Sequence, residues 1–66
     1  MEFLEKAKIR LEHWIAHNDQ HCEEYEAFAN ELEQAGKRES ARCVRDMMEL
    51  VFKSNDCLRN ALKGLE

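Results

Sequence analysis

The 66-residue chain contains no proline and no threonine, only two glycines, and two residues each of valine and isoleucine. A multi-stranded sheet draws on β-branched residues and on turn formers, so this scarcity argues against one. Long apolar runs are missing as well. No stretch approaches the roughly 18 apolar residues of a membrane span, and 36% of positions are charged. The opening Met-Glu-Phe-Leu-Glu-Lys carries acids where a secretory leader has a basic start and an apolar run, so no export is expected. A glycine-rich phosphate loop is also lacking. Cys22, Cys43 and Cys57 are odd in number and include no Cys-x-x-Cys pair, which argues against a disulfide framework. Cys43 and Cys57, if on one helix, stand about 21 Å apart, beyond disulfide reach. A cytoplasmic chain with reduced thiols is the expectation.

What is present favours helix. Ala, Leu, Glu, Lys, Arg, Met and Gln fill 40 of the 66 positions. Apolar or small residues recur in a 3-4 alternation at Leu4, Ala7, Leu11, Trp14, Tyr25, Phe28, Leu32 and Ala35, interrupted by Asn18 and His21. Gly36 then divides the chain, a helix C-terminal signal. The alternation resumes at Ala41, Val44, Met48, Val51, Asn55, Leu58, Leu62 and Leu65. The expected fold is all-α: one domain over residues 1–66, with a helix at about 2–35, a turn at 36–37 and a helix at about 38–63, forming an antiparallel hairpin. A second apolar stripe, Cys43, Met47, Leu50, Cys57 and Ala61, would stay wet in a lone hairpin. A chain this short buries only about 60% of its unfolded surface. Homodimerisation into a four-helix bundle covers the stripe, whereas a monomeric hairpin or a single continuous helix leaves it exposed. A turn at 36–37 sets Asn18 opposite Asn55, a polar pair suited to fixing register.

Charge is uneven. Residues 1–36 carry a net charge of −6 and residues 37–66 one of +2, within an overall −4. Between Glu12 and Gly36 there are seven acids, three histidines and no Lys or Arg, a window that attracts cations. Lys37, Arg38, Arg42 and Arg45 fall beside Glu31 and Glu33 and are read first as inter-helix ion-pair partners. An acidic chain without aromatics among its bases argues against nucleic acid.

His13, His17 and His21 stand at successive i, i+4 steps, stacking three imidazoles along one flank. His21 lies nearest the apolar seam and His13 furthest from it. Two such imidazoles can share one metal ion, although the His-Glu-x-x-His of the zinc proteases is absent. Glu24, three residues after His21, and Cys57, near the level of His17 on the other helix, are further donors. A twofold axis near Asn18 would bring in His17 and His21 of a second copy. Imidazoles suit zinc, nickel or copper, and a thiolate shifts the preference to zinc or reduced copper. A solvated helix flank without metal is the plain alternative. A Cys57–His17 nucleophile pair has no substrate pocket or oxyanion hole in a bare bundle, so no enzyme activity is expected. Haem ligation by His21 with Met47 or Met48 gives way to ordinary core packing of the methionines.

The run His13-Trp14-Ile15-Ala16-His17-Asn18-Asp19-Gln20-His21, with Glu24-Tyr25, Phe28-Ala29 and Ala35-Gly36, resembles a helical-hairpin domain appended to small nickel-accessory proteins of the carbon-monoxide-dehydrogenase maturation type. The resemblance covers roughly residues 10–62. It implies a histidine-bearing bundle concerned with metal, nickel or zinc, with His13, His17 and His21 matching the histidines of the pattern and a metalloprotein as possible partner. The other class of function compatible with the residues is a structural or adaptor bundle that binds a protein or structured RNA.

Overall fold

In the computed structural model, which describes residues 2–66, the chain forms two helices, α1 (Glu2–Gln34) and α2 (Arg38–Lys63), packed side by side as a hairpin. No strand occurs among the described residues. The break between the helices has a local cause. Gly36 adopts φ 81°, a left-handed conformation in which a Cβ is strained. Its N–H donates to Glu33 O at 3.0 Å and the Lys37 N–H donates to Leu32 O at 2.8 Å, the paired bonds of a Schellman stop. Gly64, which closes α2, keeps a right-handed φ of −67°, so the second glycine ends its helix without the left-handed turn.

On α2 the seam falls on the expected row: Ala41 and Asn55 are buried, and Val44, Met48, Val51, Leu58 and Leu62 are half-buried, as is Leu65 just past the helix end. On α1 the structure corrects the expected row. Leu11, Asn18, Tyr25 and Leu32 do face α2, but between them stand Ile15, Cys22 and Ala29, while Trp14 and Phe28 are 46% and 52% exposed. The two rows share every other position, so the spacing alone fits both. Side-chain volume decides between them. Ala29 and Ala41 are both fully buried, and such small residues let the two backbones approach where a Phe would hold them apart.

Asn18 and Asn55 meet as the register requires. Asn55 is fully buried, and its Nδ2 donates to Ile15 O at 3.1 Å and to Asp19 Oδ1 at 2.9 Å. A carbonyl and a carboxylate can only accept. The Asn55 oxygen therefore turns to Asn18, whose Nδ2 donates to it at 2.9 Å. No buried side-chain polar atom among the described residues lacks a partner.

The hairpin is long and thin. Its Cα extents are 52 × 14 × 10 Å and its radius of gyration is 15.4 Å, against about 11 Å for a compact chain of this length. It exposes 5330 Å², where a globular monomer of this mass exposes about 4,400 Å².

Candidate functional site

The seam gives the hairpin two unlike edges. On one edge Arg45 Nη1 pairs with Glu33 Oε1 at 2.6 Å and Nη2 donates to Asn30, while Arg59 approaches Asp19 at 3.8 Å. The expected pairing of the basic cluster is thus made through Arg45 and Glu33. Successive helical residues are rotated by about 100°. From Asn18 and Cys22, which point at α2, this rotation carries Asp19 and Glu26 to the ion-paired edge and His17, His21, Trp14 and Phe28 to the opposite edge. On α2 it separates Phe52, Arg45 and Arg59 from Met47 and Leu50 in the same sense. The histidines and the two unpacked apolar stripes therefore share one edge, where Leu50 is 65% exposed.

The i, i+4 spacing stacks the rings as a ladder. Ring centroids of His13 and His17 are 5.7 Å apart, those of His17 and His21 4.4 Å, and those of His21 and Tyr25 5.8 Å with the planes within 14° of parallel. His21 is half-buried, whereas His13 and His17 are exposed, in keeping with their angular distance from the seam. Glu24 Oε1 lies 3.0 Å from His21 Nδ1. A carboxylate there accepts a hydrogen bond from Nδ1–H, the tautomer in which the Nε2 lone pair is free. Glu24 is thus held in contact with His21, on the same flank of α1. Cys57 is exposed, and its rotation of about 200° from Asn55 puts it on the outer side of α2.

The structure brings together His17 with His21 and His21 with Glu24. It does not gather His13 or Cys57 with them into a closed set, and among the described residues no three or more His, Cys, Asp or Glu side chains converge as a metal cage. The donors of one chain suit a borderline metal in kind but are fewer than a four-coordinate shell requires.

Cys22, by contrast, is a seam residue. It is buried, and its thiol approaches Met48 O at 3.9 Å. Burial, and secondarily the Asp19 charge, push the Cys22 thiol above its ordinary value and keep it protonated. Cys22 lies off the row expected from the sequence, and nothing in the sequence signalled the Asp19 link to Asn55. No helix among the described residues is long and apolar enough to cross a membrane.

No curated protein and no solved structure matches the chain significantly. A family profile described as Domain of unknown function (DUF8180) matches residues 7–65, nearly the whole hairpin, and the chain belongs to that family.

Proposed function

We propose that two hairpins pair through the histidine-bearing edge into a four-helix bundle, and that His17 and His21 of both copies hold one divalent transition metal, nickel or zinc, in a non-catalytic metal-homeostasis or metallocentre-accessory role within the cytoplasm. The observation that carries this reading is the 4.4 Å His17–His21 pair in the middle of an edge whose apolar residues, Trp14, Phe28, Met47 and Leu50, are left exposed. Two further points support it. The chain exposes about 900 Å² more than a globular monomer, close to the roughly 800 Å² that each partner buries in a standard interface. The Glu24 contact to His21 is the outer-sphere arrangement that metal-ligating imidazoles use. The motif resemblance to modules of nickel-accessory proteins agrees with the choice of metal and with a metalloprotein partner.

Zinc and nickel titration of the untagged protein, followed by calorimetry and sedimentation, tests the reading. One ion per two chains is expected for the natural sequence, with binding lost in His17→Ala and His21→Ala and retained, though weakened about 10–100-fold, in Glu24→Gln. A protein that dimerises without binding either metal would leave the adaptor reading, which the exposed Trp14, Phe28 and Leu50 support by themselves.

A further inference from the structure

The edge opposite the histidines carries a groove of about 610 Å³, floored by Cys22, Met48 and Phe52 and rimmed by Asp19, Glu23 and Glu26. Phe52 is half-exposed there, a large apolar side chain without a covering element. The rim has an electrostatic asymmetry. The two guanidinium groups that flank the groove are already engaged, Arg45 with Glu33 and Asn30, and Arg59 with Asp19 and Asp56. Glu23 and Glu26 have no cationic partner among the described residues, and they stand within one turn of each other on the α1 side. An apolar floor beneath unneutralised carboxylates repels an acidic surface and attracts an apolar one that carries positive charge.

We infer that this groove is a docking surface for a cationic amphipathic helix of another protein, which inserts a large apolar side chain against Cys22, Met48 and Phe52 and sets Lys or Arg beside Glu23 and Glu26. Charge complementarity selects this occupant over a second copy of the chain, whose own edge presents the same carboxylates. The groove lies across the hairpin from His17 and His21, so the inference does not depend on metal binding or on pairing through the other edge. In a bundle formed through that other edge, both grooves remain on the outside.

The probe is a fluorescein-labelled Leu/Lys peptide patterned as an amphipathic helix, read by anisotropy against the full chain. A Leu/Glu peptide of the same pattern and a Leu/Lys peptide with the pattern scrambled serve as comparisons. Saturable binding of the first peptide alone, weakening as salt is added, is expected. The double change Glu23→Lys with Glu26→Lys, and separately Phe52→Ala, should each weaken binding by about tenfold or more. Gln34→Ala, at the turn end of α1 and outside both edges' apolar stripes, should leave it unchanged. All four positions are exposed, so each variant should stay helical, which far-UV dichroism checks. Equal binding of the scrambled peptide, or undiminished binding in the Glu23/Glu26 and Phe52 variants, overturns the inference. A fall in sedimenting mass of the peptide-free chain on Phe52→Glu also overturns it, by identifying the occupant as a second copy.

Discussion

Asn55 spends every donor it has inside the hairpin. Both amide hydrogens are given to α1, to Ile15 O and Asp19, and its oxygen accepts from Asn18. Asn55→Ala leaves these partners short in a buried place, and a loss of about 2–3 kcal/mol in urea unfolding is expected, well beyond a cavity of that size at an exposed site. The two glycines make a matched pair. Gly36→Ala places a Cβ on a backbone at φ 81° and should cost about 1–2 kcal/mol. At Gly64 a Cβ meets only carbonyl oxygens at 3.4 and 3.5 Å on an ordinary helical backbone, so Gly64→Ala should be nearly neutral. The sequence marks Gly36 as a stop, and the backbone angles are what separate the two positions. Cys22 gives a pH test. Its folded pKa lies above the free thiol value of 9.0, so the stability linked to it is intact below that value and declines as pH rises past it. Cys22→Ala should flatten this alkaline decline, measured as melting temperature against pH. Alkylation at neutral pH should modify the exposed Cys43 and Cys57 and spare Cys22 until the chain unfolds.

At the scale of the helix, α2 could be read directly because a single row of its residues is suited to a seam. Its other row mixes Cys43, Met47 and Leu50 with the polar Ser54, and the structure leaves that row wet. On α1 both rows are well filled, and the bulkier one, Trp14 and Phe28, has the stronger hydrophobic signal and the wrong angle. Packing distance is a property of two helices together, so the smaller row through Ile15, Cys22 and Ala29 could not be chosen from α1 alone. Two substitutions separate the rows. Ala29→Leu forces four-carbon bulk between backbones that meet at Ala29 and Ala41, and should cost about 1–3 kcal/mol in hairpin stability. Phe28→Ala, although the larger deletion, should leave the melting of a dilute monomer almost unchanged and weaken self-association, as read by sedimentation across concentrations. The histidine ladder was legible for the same reason that the α1 seam was not, since i, i+4 proximity is set within one helix. The placement of Glu24 depends on a side-chain rotamer, and only the structure shows its 3.0 Å contact to His21 Nδ1.

The whole molecule is a rod with little interior. Only Cys22, Ala29, Ala41 and Asn55 are buried among the described residues, and a core of that size supplies little of the stability that a folded chain needs. The proposed pairing through the histidine-bearing edge would add apolar burial at Trp14, Phe28 and Leu50 and would bring the metal donors of two chains together. Assembly and metal binding are then linked. An ion held only by the paired form stabilises it by RT ln(1 + [L]/Kd), about 2.7 kcal/mol at a hundredfold excess over Kd. Leu50→Glu, which replaces none of the proposed donors, should therefore lower metal affinity as well as dimer mass, because it separates two half-sites. His17→Ala should remove the metal-induced rise in melting temperature while leaving a dimer in chelator. Protons compete with metal for imidazole nitrogen, so the rise should fade below about pH 6. Undiminished metal binding by a Leu50→Glu monomer would mean that the site lies within one chain and that the paired-edge geometry is wrong. A melting temperature unaffected by zinc or nickel at neutral pH would leave the ladder as a hydrated flank on a bundle held together by its apolar residues alone.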